Sequence, residues 1–553
     1  MNSTPAPSSI LPGQYLLAEA ENEQIYRFAE TNQLPDTHAI ANFLSATFGI
    51  SLVTDADIVN GFVHDESHLP GNASGLTRPS TRREVATVLR TCTLCHLPVT
   101  ICSGRSNLTG SATPEGGIVM ALSSLQEPPF SVNESARTVN APVGMFLEEM
   151  RKAVLAATSG RLGYPVDPTS RAEATVGGTI ACNASGFTPG AAGATRDWVE
   201  RIEVILPCGS LVAAHRGEFI SRNGAFLLEA CGATREIPVP QFPRPSIKNA
   251  GGPFSSVDGA MDFVDFIIGS EGIYGAVVAA TLRLVEQPET FLDFFFSMSS
   301  ESEAVALRLK LEEVLGGHLD SLSACEYFGV NCRRYMTHED RFFSGSNPVA
   351  VYIQVPSSKD KADAVAEEWF VRLCELGVDP DAILLLDNDR DRALFMEARH
   401  SMPANSLEVV TRRGTFTLMT DTVVPKERFA EFLDFAHAQL NEHSIDYLAF
   451  GHLGDCHLHF SMMPERSQLE AATGIYESIV AKSAELGGVY SGEHGTGKRK
   501  REDFAECNGE RGINDIRRTK AALDPEFLLN RGNVVTPPQH IAKRTASNHT
   551  CCS

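Results

Sequence analysis

An α+β fold built in two large blocks is what the sequence predicts, and three observations carry that prediction. From about residue 77 to 290, short β-branched runs bounded by Gly or Pro alternate with helical stripes; Val99-Thr100-Ile101, Ile118-Val119-Met120 and Val204-Ile205-Leu206 are examples. From 291 onward, strand-like runs at 292–298, 349–355, 416–424 and 447–450 are interleaved with amphipathic helices. That order gives a sheet with helices on one side. Apolar residues make up 43% of the chain and aromatics 8%, enough to bury large cores and to exclude disorder for most of the length.

In chain order, residues 1–70 read as an N-terminal arm with some helix. Thr81-x-x-Glu84 then forms a capping box, and Val85, Val88, Leu89 and Cys92 follow the i, i+3, i+4, i+7 stripe of the helix it opens. That stripe makes Cys92 and Cys95, a CxxC pair, core cysteines in preference to a redox couple. A Pro-rich loop, PVPQFPRPSIKNAGGPF at 238–254, interrupts the first block, and loops of this length are often functional. In the second block one helix lies near 361–376, with Val365, Trp369, Leu373 and Leu376 on one face and Gly377 as its C-cap. Another starts at Pro425 as its first residue and places Phe429, Phe432, Leu433, Ala436 and Leu440 on one face. The expected division is 1–70, 71–290, 291–499, a helical segment at 500–535 and a disordered tail at 536–553, with no internal repeat.

Charge and composition exclude several function classes. The 553 residues hold 47 Lys plus Arg against 69 Asp plus Glu, a formal charge of −22. That balance argues against nucleic acid and against a polybasic dock on anionic lipid. No apolar run reaches the roughly 18 residues of a membrane helix. The N-terminal stretch has neither a basic n-region nor an apolar h-region, its first Arg being Arg27. The 13 Cys, odd in number and without framework spacing, suit reduced thiols, and no Cys cluster suits an iron–sulfur centre. Cys551-Cys552-Ser553 misses the prenylation spacing by one place and reads as a loose tail. The expectation is an acidic protein of the cell interior, cytoplasmic or peripheral to the inner membrane.

Four stretches carry chemistry. SGRSNLTGSATPEGG (103–117) packs Ser, Thr, Asn and Gly after an extended apolar run. Successive backbone N–H groups there make a nest for a pyrophosphate, although the pattern is neither GxGxxG nor Walker A and a surface turn is the alternative. The stretch 165–209 is almost free of bulky side chains from Gly177 to Thr195, which leaves room for a flat, apolar cofactor or makes a buried Gly-rich turn. GSEGIYGAVVAATLRL (269–284) pairs a Gly-rich loop with a strand. Finally, AFGHLGDCHLHF (449–460) and YSGEHGTGK (490–498) bring His452, His459 and Glu493 into Gly-rich loops, beside His494. Two imidazoles and a carboxylate make a three-ligand set for a divalent cation with positions left open; structural histidines are the alternative.

Together these stretches resemble the FAD domain of the vanillyl-alcohol oxidase/p-cresol methylhydroxylase (PCMH-type) superfamily. They are most similar to its branch of flavin-linked D-lactate dehydrogenase, the FAD subunit of glycolate oxidase and D-2-hydroxyglutarate dehydrogenase. The resemblance runs from Leu76-Thr77-Arg78-Pro79-Ser80 to Ala522-Leu523-Asp524-Pro525 and on to Asn530. It implies a PCMH-type FAD-binding domain (71–290), an α+β substrate (cap) domain with an antiparallel sheet (291–499) and a short C-terminal helical segment returning to the FAD domain. The implied cofactor is non-covalent FAD. Its contacts would come from Gly104, Arg105, Ser106, Asn107, Leu108, Thr109, Gly110 and Ser111 of the first stretch, and from Pro168, Thr175, Gly177, Gly178, Thr179, Ala181 and Cys182 of the second. Glu271, Gly275 and Asn530 complete the set.

By the same resemblance His452, His459 and Glu493 hold a divalent metal (Zn or Mn), and His494 is the catalytic base. Arg399 in FMEARHSMP resembles the substrate-clamping Arg, and Lys248 in IKNAGG a lysine near the flavin. Arg412 and Arg413, between two predicted elements, read as surface residues. The implied reaction oxidises a D-2-hydroxy acid, lactate-like or glycolate-like, to the 2-oxo acid. Its hydroxyl proton must leave as hydride departs from Cα, work for a Lewis acid and a neutral His. Electrons would pass to a quinone, cytochrome, flavoprotein or iron–sulfur partner, and a homodimer stays open.

Several positions depart from the family pattern. Ser103, Arg105 and Ser111 stand where glycine is usual, and no His in that loop offers a covalent flavin link. Cys456 and His457 replace Gly-Asn, Pro253 replaces a Tyr, Ser461 stands where D-2-hydroxyglutarate enzymes carry Asn, and a lysine they use near Met419 is missing. These changes count most against D-2-hydroxyglutarate. The competing readings are an FAD-binding scaffold or degenerate subunit, a metal-independent flavin alcohol oxidase, and a metallohydrolase on the same two His and Glu.

Overall fold

The computed structural model describes residues 8–32, 34–186, 193–230 and 233–539. Its first hydrophobic core gathers around two sheets. One has four strands, with Gly75–Thr77 and Val99–Cys102 both parallel to the central Ile118–Ala121 and Leu52–Val53 on the outer edge. The other is a six-stranded antiparallel sheet in the order Gln14–Tyr15, Ser210–His215, Val199–Ile205, Ala276–Arg283, Thr138–Pro142, Ser131–Asn133. The segment read as an N-terminal arm is tied into this unit. Ile10–Pro12 pairs with Ala225–Ala230, Gln14–Tyr15 with Ser210–His215, and Leu52–Val53 with Gly75–Thr77. Leu11, Ile40, Leu44 and Leu52 lie in the same core as Val85, Val88 and Leu89, and burying those side chains is what holds the segment down.

Local rules account for the helices. Thr81 caps Arg82–Leu94 by accepting from the Glu84 N–H at 3.2 Å, while the Glu84 carboxylate accepts from the Ser80 N–H at 2.7 Å, one residue earlier than in a simple box. Cys92 and Cys95 are buried and unbridged, their thiols pushed up by burial, the latter to about 12, as core cysteines should be. Pro425 is not the first residue of the long helix. It caps a 3₁₀ turn, Lys426–Arg428, which leads into Phe429–Glu442.

The second unit is an eight-stranded antiparallel sheet whose central run is Thr290–Met298, Val349–Ser357, Ala324–Phe328, Tyr447–His452, His457–Met462. Helices cover both faces of it, not one. Phe294 and Phe296 pack towards Glu301–Val314, Ala362–Glu375, Phe429–Glu442 and Leu469–Glu485, whereas Phe295 packs towards Asp389–Arg413. The expected strand at 416–424 is broken into Leu418–Met419 and Thr422–Val423, leaving Thr420 and Asp421 between them, both fully buried. Arg412 and Arg413 belong to the last turn of Asp389–Arg413.

The chain then returns to the first unit. The helix Arg501–Leu523, kinked at Gly509, buries Phe504, Ile516 and Leu523 in the first core. Beyond it, the Val99 N–H donates to the Leu528 carbonyl at 3.0 Å, and the Asn530 N–H donates to the Val99 carbonyl at 2.9 Å. No helix among the described residues is long and apolar enough to cross a membrane.

Candidate active site

A cavity of about 590 Å³ runs between the Gly-rich stretches of the first unit and ends at His452, Glu493 and His494. Gly, Ala, Ser and Thr supply much of its lining and let segments approach. A Cβ on Gly104 would sit 2.0 Å from the Glu173 carbonyl oxygen, so only glycine allows the 103–108 loop to lie against 173–174. Every expected cofactor contact lines this cavity except Thr109 and Gly110, which lie behind it. A largely apolar cavity lined by a run of Ser, Thr and Gly suits a flavin dinucleotide. The Arg105 guanidinium is turned away to the Gly61 carbonyl, at 2.5 Å, and over the Phe62 ring. Residues 187–192, part of the expected cofactor bed, lie outside the described residues, as do 1–7 and 540–553.

The far end of the cavity is built by the second unit. The strands Tyr447–His452 and His457–Met462 form a tight pair, and Gly451, at φ 146, is needed there because a Cβ would lie 2.5 Å from the His457 carbonyl oxygen. His452 Nδ1 donates to Glu326 Oε1 at 2.5 Å, and His459 Nδ1 donates to the Thr420 carbonyl at 3.0 Å. With those protons committed, each Nε2 is left facing Glu493, able to bind a cation as the neutral ring or to donate a proton as the imidazolium. His452 Nε2 lies 3.3 Å from Glu493 Oε2 and His459 Nε2 3.3 Å from Glu493 Oε1. Acceptors that face one another at this range need positive charge between them, a proton or a cation. The carboxylate and carbonyl behind the imidazoles are the partners metal-bound histidines usually have. The donor set therefore suits a divalent cation, and burial opposes but Glu326 and Glu493 outweigh it to raise His452 to about 9.

His457 belongs to the same cluster but has no lone pair to spare. Its Nε2 is 2.9 Å from Asp421 Oδ1, and its Nδ1 accepts from Lys248 Nζ at 3.0 Å. Lys248 also donates to Glu493 Oε2 at 3.0 Å. Burial works against ionisation of Glu493, yet Lys248 and His452 hold its carboxyl well below the usual range.

His494 stands beside this group, with Nε2 3.7 Å from Glu493 Oε1 and Nδ1 3.4 Å from Asp421 Oδ2. Burial holds its imidazole down to about 4, so it is neutral at physiological pH. Asp421 also accepts from the His494 N–H at 3.0 Å, Ser491 Oγ at 2.7 Å and Lys500 Nζ at 2.8 Å. Arg399 reaches the cluster indirectly, donating to Glu326 Oε2 at 3.2 Å, and neither it nor Lys248 lines the cavity.

The families described as FAD binding domain and as FAD linked oxidases, C-terminal domain, match residues 73–215 and 248–534. The chain belongs to the FAD-linked oxidase family. This FAD-linked oxidase is 25% identical over 490 residues to a D-lactate dehydrogenase of Anaerostipes hadrus, covering 86% of this chain and 93% of that protein. It is 24% identical to glycolate oxidase subunit GlcD of Bacillus subtilis (82% and 87% covered) and 26% identical to a D-2-hydroxyglutarate dehydrogenase of Xanthomonas citri (84% and 89% covered). Among solved structures, 4-ethylphenol oxidase from Gulosibacter chungangensis shares the fold with a TM-score of 0.62 at 17% identity, over 96% of this chain and all of that one. An alkyldihydroxyacetonephosphate synthase does so at 0.59 and 15%, over 95% of this chain and 85% of that one. The protein is thus an FAD-dependent oxidoreductase with the PCMH-type fold.

Sequence reasoning missed several residues of this FAD-linked oxidase's site. Glu326 holds His452, Asp421 holds His457 and the His494 N–H, Lys500 pairs with Asp421, and Ser185 Oγ stands 3.4 Å from Glu493 Oε2. For Glu326 and Asp421 the signal was a charged residue inside a strand-like run, as in Ser323-Ala324-Cys325-Glu326-Tyr327-Phe328, whereas Lys500 is hidden in the charged run Lys498-Arg499-Lys500-Arg501. A buried charge without a partner is too costly to keep.

Proposed function

We propose that this FAD-linked oxidase converts a D-2-hydroxy acid with a small uncharged side chain, lactate-like or glycolate-like, to the 2-oxo acid. What supports this reading is the convergence of His452, His459, Glu493 and His494 on one end of the cavity. Bound there, flavin supplies the hydride acceptor and a divalent cation, Zn or Mn, the Lewis acid. Gly104, Ser106, Leu108, Ser111, Pro168, Thr175, Gly177, Gly178, Thr179, Ala181, Cys182, Glu271, Gly275 and Asn530 would hold the former; His452, His459 and Glu493 would hold the latter.

The chain's own groups do the rest. Neutral His494 takes the hydroxyl proton at Nε2, its tautomer fixed by Asp421 against Nδ1. Losing such a base costs about 10²–10⁴ in rate. Arg399, held by Glu326 behind His452, would have to turn toward the cavity to bind the substrate carboxylate as a guanidinium fork, and Lys248 balances Glu493 from the other side. Electrons leave to a separate quinone, cytochrome, flavoprotein or iron–sulfur partner.

One observation favours the metal-independent flavin alcohol oxidase as a second reading: the Lys248 ammonium already stands 3.0 Å from Glu493 Oε2. The deciding experiment is an anaerobic absorbance titration of the purified protein with D- and L-2-hydroxy acids, with metal assayed alongside. Bleaching by a D-acid with metal near one per chain supports the first reading. Bleaching with no metal, undisturbed by chelators, supports the second. A flavin that no 2-hydroxy acid bleaches overturns the 2-hydroxy acid assignment.

A further inference from the structure

Asn107 lies in the middle of the cofactor loop, yet its side chain is turned inward and fully engaged. Oδ1 accepts from the Thr109 N–H at 2.9 Å, Thr109 Oγ1 at 2.9 Å and the Ser111 N–H at 3.1 Å. Nδ2 donates to the His494 carbonyl at 3.2 Å and faces Cys182 Sγ at 3.6 Å. A primary amide has two N–H donors and two acceptor lone pairs, so this one has no donor to spare for a phosphate.

The same carbonyl has Thr109 Oγ1 at 3.3 Å, and the Thr109 carbonyl in turn accepts from the Lys498 and Arg499 N–H groups at 2.8 and 3.0 Å. On the other side of its Cα, the His494 N–H donates to Asp421 Oδ2 at 3.0 Å. Both peptide groups flanking His494 are therefore pinned, one from the cofactor loop of the first unit and one from a buried carboxylate of the second. Only χ1 and χ2 of the imidazole remain to be fixed, and Asp421 and Glu493 flank the ring.

From this geometry we propose that Asn107, seconded by Thr109, is a positioning residue for His494 and not a phosphate ligand. It ties the cofactor loop to the catalytic loop 491–499, so that order in one is order in the other. The inference rests on the reading of His494 as the base.

The test uses the full-length, FAD-loaded protein and two variants, Asn107→Ala and Thr109→Val. Hydrogen–deuterium exchange of the 491–499 amides is expected to quicken about tenfold in Asn107→Ala, the loss of one buried hydrogen bond. The FAD dissociation constant, from flavin fluorescence, is expected to stay within about threefold of the parent. With an acid that bleaches the parent, the limiting anaerobic reduction rate should fall about ten- to a hundredfold while the apparent dissociation constant of the acid holds. General loosening of the fold would move the flavin and acid constants as well. Thr109→Val should show the same pattern more weakly, and it decides the matter if Asn107→Ala does not fold. Unchanged exchange at 491–499 in both variants overturns the proposal, as does a tenfold loss of FAD affinity with reduction intact. If no acid bleaches the parent flavin, the hydroxy-acid reading fails, and the exchange arm still decides on Asn107.

Discussion

Replacing Asp421 by asparagine separates the charge of the site from its shape. The carboxylate is fully buried and accepts from Lys500 Nζ at 2.8 Å, His457 Nε2 at 2.9 Å, Ser491 Oγ at 2.7 Å and the His494 N–H at 3.0 Å, with His494 Nδ1 at 3.4 Å. An amide keeps one acceptor and brings two hydrogens into a place crowded with donors. It also leaves the Lys500 ammonium, whose side chain is 4% exposed, without its countercharge. Breaking a buried pair from one side costs about 3–5 kcal/mol. The kinetic effect is separate. A hydrogen bond to a charged group is worth about 1.5–3 kcal/mol, or roughly 10–150-fold in rate at 1.4 kcal/mol per decade. Because the Nδ1 contact is long, the lower end is expected, about 10–50-fold. Stopped-flow reduction of the flavin under anaerobic conditions measures the rate, and urea midpoints measure stability. Asp421→Asn/Lys500→Met should recover most of the stability, since the pair is then replaced as a whole, but none of the rate. A folded Asp421→Asn protein reducing flavin within threefold of the parent would refute the orienting role.

Three further outcomes follow from the same geometry. Gly104→Ala should give a protein purified without flavin and colourless above 350 nm (roughly the onset of flavin bands), because its Cβ would lie 2.0 Å from the Glu173 carbonyl oxygen; a yellow variant would show that the loop can move aside. Arg399→Ala should raise the apparent dissociation constant of the acid by about 10–150-fold, the worth of a charged hydrogen bond, with flavin affinity held; no change for any active acid removes Arg399 as the clamp. Lys498 supplies the pH test. Burial holds its ammonium down to about 8 against 10.5 for a free lysine, so between those values the unfolded chain binds more protons and folding stability rises with pH. Relative to Lys498→Met, the parent should therefore gain in urea midpoint from pH 7.5 to 10, and a constant difference would contradict the buried-ammonium account.

Much of this molecule was legible because its signals are local. The Gly-rich stretches and the two His motifs name the family by short-range pattern, and Thr81, Val85 and Cys92 announce their helix within a few residues. What escaped depended on distant partners. The run 416–424 alternates Phe416, Leu418, Thr420 and Thr422 like a half-buried strand, yet it breaks at Thr420-Asp421. The carbonyl of one must accept from His459, and the carboxylate of the other must gather His457, Ser491 and Lys500. Helices on both faces of the second sheet were signalled by Phe294-Phe295-Phe296, a run without the polar alternation that a one-sided sheet keeps. The acids were the remaining clue. Asp421 and Glu326 each interrupt a strand-like run that ends up buried, and a solvated reading of either would have required that run to turn its face to water. That conflict by itself demands a cationic or proton-donating partner for each acid. The partners are Lys500 and His457 for one, Arg399 and His452 for the other, and between them they hold the imidazoles on which the chemistry depends.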